Sequence, residues 1–328
     1  MTIQLAGRTL NPPVFLAPLA GITDLPFRNL VSSFGAGLVV SEMIASQEMV
    51  QARPSAQAKA ELGFGKLNTS VQIAGREAHW MSECAKLCEA NGARIIDINM
   101  GCPARKVTKG YSGSALMKDL DHALTLIDAV VGAVSVPVTL KMRLGWDDET
   151  LNAAELGKRA ENAGVQMLTV HGRTRCQFYK GQADWAKIRD VVGAVNLPVI
   201  ANGDITSTPE AREALRQSDA KGVMVGRGAQ GKPWILARIA HEIHGVAAPD
   251  VPTSDRLADM IIGHYEAILA FYGLEMGLKN ARKHLGWYLD GLEISAALRR
   301  SVLTSTEPRE VVRLIRTCCT DHPERSVA

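Results

Sequence analysis

The feature that most constrains this chain is a rhythm. Eight short apolar, β-branched runs recur along it, at Val14 to Ala17, Leu38 to Ser41, Ser70 to Ile73, Ile95 to Asn99, Val138 to Met142, Met167 to Val170, Val199 to Ala201 and Gly222 to Val225. Several are almost continuously apolar, the pattern of strands covered on both faces. Stretches with helical spacing separate them, such as Glu77 to Ala90, Ala153 to Asn162 and Pro209 to Leu215. Strands alternating with helices predict a parallel sheet. Eight repeats favour closure, so the expectation is an α/β fold, a (β/α)8 TIM barrel, over an open doubly wound sheet.

Position along each repeat then becomes informative, because barrels of this kind do chemistry at the C-terminal ends of their strands. The predicted strands end in Pro18-Leu19-Ala20-Gly21, Glu42-Met43, Gln72, Asn99-Met100-Gly101-Cys102-Pro103, Lys141-Met142-Arg143, His171-Gly172-Arg173, Asn202-Gly203-Asp204 and Gly226-Arg227-Gly228. Polar groups that close otherwise apolar strands are costly to bury without partners. Their recurrence on one rim points to a site.

The chain has 328 residues, more than the ~250 of a typical barrel. The last barrel helix is predicted over Pro233 to His244. A Pro-containing linker follows at residues 245–252, and helical periodicity dominates from Thr253 onward. The reading is a barrel domain over 1–245 and a small all-helical C-terminal domain over 253–328. From residue 250 the chain carries ten Lys/Arg against eleven Asp/Glu, so nucleic-acid binding there would need a patch rather than bulk charge.

The net charge of +3 neither requires nor excludes a polyanionic partner. No apolar run approaches the ~18 residues of a membrane span, and the N-terminus does not read as an export signal. The six cysteines form no CxxC pair. Cys84 and Cys88, spaced i, i+4, read as core packing rather than half a metal site, and no metal is expected. The setting expected is a reducing cytoplasm.

Glycines around Asn202-Gly203-Asp204 and Gly226-Arg227-Gly228 let backbone N–H groups approach a phosphate, with Arg227 adding charge; tight turns are the alternative. Lys141 suits an anionic, hydrogen-bonding ring. His171 and Gln72 could face the same ring or be satisfied core residues. Cys102, between a permissive Gly101 and a rigid Pro103, should project at the rim. As a mostly protonated thiol, with an unperturbed pKa of ~8.5, it suits an acid as well as a nucleophile. Arg143, Arg173, Arg175, Lys106 and Lys109 make the mouth basic. Lys279, Arg282 and Lys283 share one helix face, which spacing alone reads as solvated, beside Trp287 and Tyr288.

Taken together, Ala17 to Asp24, Val71 to Gly75, Asp97 to Val107, His171 to Arg175 and Ala201 to Ile205 resemble the tRNA-dihydrouridine synthase family. Gly226 to Trp234 and Ala281 to Tyr288 resemble its bacterial B type. The resemblance spans nearly the whole chain in order. It implies reduction of the C5–C6 bond of a D-loop uridine in tRNA, by FMN re-reduced by NADPH. A monomer is expected, with no obligate protein partner evident in the sequence. Carried over by motif, Pro18, Leu19, Ala20, Gln72, Lys141 and His171 would contact the flavin. Asn202, Gly203, Asp204, Gly226 and Arg227 would hold its phosphate. Cys102 would be the proton donor. Asn99, Arg143 and Arg173 would engage the uridine, and Lys279, Arg282 and Lys283 would contact tRNA. A flavin oxidoreductase of free pyrimidines, of the dihydroorotate or dihydropyrimidine kind, shares much of this. It leaves the helical domain and the basic rim unexplained. A non-redox RNA-binding barrel would leave the ring-contact positions unexplained.

Overall fold

Eight parallel strands close into a ring because each is buried on both faces and each finds its successor as a neighbour. The computed structural model describes residues 2–62 and 68–320; the expected domain limits at 1 and 328 lie outside them. In chain order the strands are β1 (Ile3–Leu5), β2 (Arg8–Leu10), β3 (Val14–Leu16), β4 (Leu38–Val40), β5 (Ile44–Ala45), β6 (Thr69–Ala74), β7 (Ile96–Met100), β8 (Val138–Arg143), β9 (Met167–His171), β10 (Val199–Asn202) and β11 (Gly222–Val225). The ring runs β3-β4-β6-β7-β8-β9-β10-β11 and returns from β11 to β3. This is the barrel expected from the sequence, followed by three helical segments. The eight expected runs each fall on a ring strand, with ends shifted by a residue or two.

Alternation sorts the side chains of these strands. Val14, Leu16, Ile96, Ile98, Leu140 and Met142 join the large core shared with the surrounding helices. The opposite parity points into the barrel and is graded. Phe15, Leu38, Ile95, Met167, Ile200 and Met224 form an apolar floor near the strand starts. Gln72, Asp97, Asn99, Lys141, His171 and Asn202 follow towards the strand ends. An apolar floor below a polar top concentrates the hydrogen-bonding groups of the barrel interior at its C-terminal end.

Two features depart from the sequence reading. The hairpin β1–β2 was not anticipated; it pairs Ile3 with Leu10 and lays Ile3, Leu5 and Leu10 on the apolar floor. Its turn, Ala6-Gly7, has positive φ at both residues (39° and 78°), as tight hairpin turns require. The second barrel strand is also interrupted: β4 and β5 both pair with β6, and Ser41, Glu42 and Met43 bridge them outside regular pairing.

The helix Ile235–His244 ends at a left-handed Gly245, and residues 245–253 connect to the helical region. Helix Ser254–Leu289 breaks at Gly273, whose φ and ψ are 74° and 170°. The chain folds back there: a Cβ at Gly277 would meet the Leu269 backbone at 2.9 Å, and the rings of His264 and His284 lie 4.8 Å apart. Helices Ala296–Thr304 and Pro308–Thr320 complete the region. Its core includes Trp234 and packs against Leu30 and Phe34 of the barrel, so the two parts share an apolar seam.

Candidate active site

The polar end of the barrel interior opens on a cavity of about 690 Å³, a size suited to a cofactor. Pro18, Leu19 and Ala20 wall it after β3, Gln72 on β6, Asn99 and Cys102 on and after β7, and Lys141 and Arg143 on β8. His171 enters from β9, Asn202, Gly203 and Asp204 from the end of β10, and Gly226 and Arg227 from the end of β11. The catalytic and cofactor-binding candidates of the sequence reading thus share one cavity.

The Cys102 corner is held from several directions. Asn99 Oδ1 accepts from the N–H groups of Gly101 (3.2 Å) and Cys102 (3.0 Å). Arg143 Nε donates to Gly101 O at 2.8 Å, and Ser114 Oγ donates to Cys102 O at 2.8 Å. Gly113 closes the back: its φ is +61°, and a Cβ there would lie 2.8 Å from Cys102 O. The half-buried Cys102 thiol is therefore placed by its backbone, and the cavity reaches it.

Behind Asn99 runs a buried chain of hydrogen bonds. Asn99 Nδ2 donates to Gln72 Oε1 at 2.7 Å, and Gln72 Nε2 donates to Asp97 Oδ2 at 2.7 Å. Thr139 Oγ1 donates to Asp97 Oδ1 at 2.6 Å. Burial pushes the Asp97 carboxyl up, opposed by these two hydrogen bonds and by the charge of Lys141.

Lys141 Nζ donates to Asn202 Oδ1 at 2.9 Å, and Asn202 Nδ2 donates to Met224 O at 2.8 Å, which fixes the Asn202 amide. Burial and the Arg143 charge push the Lys141 ammonium down to about 8, against the pull of Asp97 and Cys102. His171 is held well below its ordinary value by burial and then by the charges of Arg143, Lys141, Arg173 and Arg227, so it is neutral at neutral pH. Its Nδ1 is buried without a partner among the described residues. A partnerless ring nitrogen beside an ammonium, a buried amide and a deep cavity fits a flat, hydrogen-bonding ring with a negative charge, the flavin expected from the resemblance. Gly203 is required where it stands: at φ +119°, a Cβ there would lie 2.7 Å from Ala183, and it would touch the His171 ring at 3.5 Å.

At the ends of β10 and β11, Asp204 accepts from Arg173 Nη1 (2.9 Å), Arg173 Nη2 (2.5 Å), Arg227 Nη2 (3.0 Å) and Ala183 N (2.8 Å). Burial raises its carboxyl, but the Arg173 hydrogen bond, the Ala183 N–H and both arginine charges outweigh it and hold it below the usual range. Arg227 is half exposed, paired with Asp204 on one side and beside Tyr179 on the other.

The rim is less open in its charge than the sequence suggested. Arg173 does not line the cavity. It lies 1 % exposed beneath Asp204 and also donates to Lys180 O and Gly181 O. A buried guanidinium must find acceptors, and these are the ones at hand. Arg143 borders the cavity, yet its donors tie Gly101 O to Thr174 O and Phe178 O. Arg175 stacks on Trp146 at 4.8 Å, whereas Lys106 and Lys109 are exposed. The three helical-region cations also divide. Lys279 pairs with Glu275 at 2.8 Å and Arg282 is exposed. Lys283 turns to the mouth, with Nζ 3.4 Å from where a Cβ of Gly21 would stand.

Sequence reasoning missed Tyr179, which lines the cavity between Arg143 and Arg227, each 5.7 Å from its ring. The aromatic pair Phe178-Tyr179 in a polar loop was the available signal. Glu42, which the sequence placed at the end of the second barrel strand, is buried at the strand break and accepts the N–H of Gly21.

A family model described as Dihydrouridine synthase (Dus) matches residues 15–322. A "Probable tRNA-dihydrouridine synthase" of Rhodobacter capsulatus is 61% identical over 318 residues, covering 96% of this chain and 97% of its own. One of the same name from Rickettsia conorii is 52% identical over 310 residues, 94% of each chain. "tRNA-dihydrouridine synthase B" of Xanthomonas campestris is 43% identical over 314 residues, 96% of this chain and 95% of its own. Among solved structures, histamine dehydrogenase from Rhizobium sp. 4-9 superposes with a TM-score of 0.53 at 12% identity, over 81% of this chain and 50% of that one. That last likeness is one of fold alone.

Proposed function

The chain belongs to the dihydrouridine synthase family, and from that premise we propose that it reduces a D-loop uridine of tRNA, at position 17, with Cys102 as the acid that protonates C5. The observation that carries this reading is the Cys102 corner, fixed by Asn99, Arg143 and Ser114 at the edge of a cavity whose other walls suit FMN. Bound there, reduced FMN supplies the hydride for C6, and NADPH restores it.

The chain's own residues do the rest. Gln72, Lys141 and neutral His171, which line the cavity, would hold the ring. The backbone at Gly203, Asp204 and Gly226, with Arg227, takes the phosphate. The second Asn99 Nδ2–H is available to a uracil carbonyl. The Cys102 thiol, at the cavity edge, would deliver the C5 proton. Unstacking the uridine costs a few kcal/mol, which contacts from Lys106, Lys109, Arg282 and Lys283 to the tRNA backbone offset. Arg143 and Arg173 contribute by holding the loops on which these groups sit.

No helix among the described residues is long and apolar enough to cross a membrane. The protein acts as a cytoplasmic monomer in this reading.

The test is to map dihydrouridine by mass spectrometry in tRNA from cells lacking the gene, before and after incubation with the purified protein, FMN and NADPH. New dihydrouridine at position 17 supports the proposal. Turnover of free uracil or orotate with no change in tRNA overturns it.

A further inference from the structure

The chain Thr139–Asp97–Gln72–Asn99 has a direction, and both of its ends fix it. At one end, the Asp97 carboxylate accepts hydrogen bonds from Thr139 and Gln72. Thr139 and Gln72 both donate to it, which puts the Gln72 nitrogen opposite it. Gln72 Oε1 then faces Asn99, which must answer with Nδ2. Asn99 Oδ1 is left for the N–H groups of Gly101 and Cys102. From the other end, those backbone N–H groups only donate and demand the same orientation. Side-chain amides can usually be turned round; these two cannot be turned without breaking a hydrogen bond. Asp97, Gln72 and Asn99 are 4 %, 0 % and 6 % exposed, so water cannot substitute for a lost partner.

Gln72 and Asn99 line the cavity; Asp97 does not. Each amide spends one N–H within the chain and keeps one. Asn99 Oδ1 already accepts two hydrogen bonds. The cavity wall therefore presents N–H donors, which recognise carbonyl oxygens and ring nitrogens with lone pairs.

We infer that Asp97 is a positioning residue: acting through Gln72, it sets the amide polarity that turns donors into the cavity and anchors the Cys102 corner through Asn99. The flavin arm of this inference rests on the reading of the cavity given above; the Cys102 arm does not.

Asp97→Asn alone is not decisive, because the Thr139 hydroxyl can turn round and accept from the new amide. Asn99→Asp is decisive, because it sets a carboxylate against Gln72 Oε1. Exchanging the two, as Asp97→Asn with Asn99→Asp, rebuilds every link, with the two through Gln72 reversed. The amide introduced at position 97 then donates to Gln72 Oε1, Gln72 Nε2 donates to the carboxylate introduced at position 99, and that carboxylate still accepts from Gly101 and Cys102.

The measurement is the alkylation rate of Cys102 by iodoacetamide in flavin-free protein, resolved from the exposed Cys176 by peptide mass mapping. FMN affinity, from fluorescence quenching, is measured alongside. Asn99→Asp should speed Cys102 alkylation and weaken FMN binding by about tenfold each, the effect of one unmatched buried hydrogen bond. The exchange should return alkylation to within about threefold of the parent, less than the effect of one such bond. An exchange variant no closer to the parent than Asn99→Asp overturns the inference, as does an Asn99→Asp that matches the parent. If Asn99→Asp fails to fold, a folded exchange variant with parent-like alkylation sustains the inference, and an unfolded one overturns it. A parent protein that binds no FMN would refute the functional reading while leaving the alkylation comparison intact.

Discussion

Arg173 and Asp204 meet in a two-pronged ion pair, at 2.9 and 2.5 Å, directly under the loop assigned to the phosphate. The guanidinium is almost fully buried and the carboxylate about a quarter exposed. Removing one partner of such a pair leaves the other charge uncompensated. Arg173→Ala should cost about 3 kcal/mol of stability in urea denaturation and should abolish FMN retention on gel filtration. Arg173→Lys should recover little, because an ammonium cannot span both Asp204 oxygens and the carbonyls of Lys180 and Gly181. A lysine variant that behaves like the parent would show that charge, not the fork, is what matters.

Cys102→Ala should keep its yellow colour and its reduction by NADPH, since the thiol is not needed to hold the ring. Dihydrouridine formation should fall by about 10²–10⁴, the range for a lost general acid. Stopped-flow absorbance and mass spectrometry of tRNA separate the two half-reactions. Full activity in the variant would remove Cys102 from the acid role.

Gly113→Ala addresses the corner without touching the thiol. The new methyl would press on Cys102 O in a left-handed conformation. A stability loss of about 1 kcal/mol is expected from the backbone alone. The fall in kcat should exceed that in global stability, with FMN affinity unchanged.

Lys141, held near a pKa of about 8, loses its charge on alkaline titration well before an exposed lysine would. FMN binding should weaken as pH rises through 8, and Lys141→Met should flatten that dependence. The stability effect has the opposite sign. Between about 8 and the ordinary 10.5 the unfolded chain binds more protons at this residue, so its contribution to stability rises with pH across that window. Titrations of FMN and of urea midpoint from pH 7 to 10.5 check both.

Asp24 caps helix Leu25–Ser33 through the N–H of Phe27, and burial raises its carboxyl to about 6 against the Phe27 and Tyr272 hydrogen bonds. The folded protein binds the proton more tightly than the unfolded chain. The penalty is absent below the ordinary 3.8 and complete above about 6. Asp24→Asn keeps a capping side chain and should stabilise the protein at pH 7 by up to about 3 kcal/mol. The gain should vanish by acid titration to pH 3.8. A destabilised Asn variant at pH 7 would mean that Arg28 and the phenol of Tyr272 more than compensate the buried charge.

The barrel was legible because its signal is local. Val138 to Met142 or Gly222 to Val225 announce buried strands without reference to anything distant, and the residues closing them mark the rim. Cys102, Gln72 and Lys141 could be placed on the right face by counting alone. What escaped depends on partners far along the chain. Arg173 reads as a rim charge until Asp204 is seen beside it, 31 residues on. The role of Asp97 shows only once Gln72 and Thr139 close on it, 25 and 42 residues away. The hairpin was hidden by its length: strands of three residues carry too little alternation to declare themselves.

That hairpin has a consequence for traffic. With Ile3, Leu5 and Leu10 packed on the apolar floor of the far end, the cavity at the strand ends is the mouth that the proposed reaction would use. In the proposed reaction a reductant and a tRNA would compete for that one mouth. Electrons would then arrive on one visit and depart on another. Steady-state rates should follow double-reciprocal lines that run parallel when the concentration of either visitor is varied.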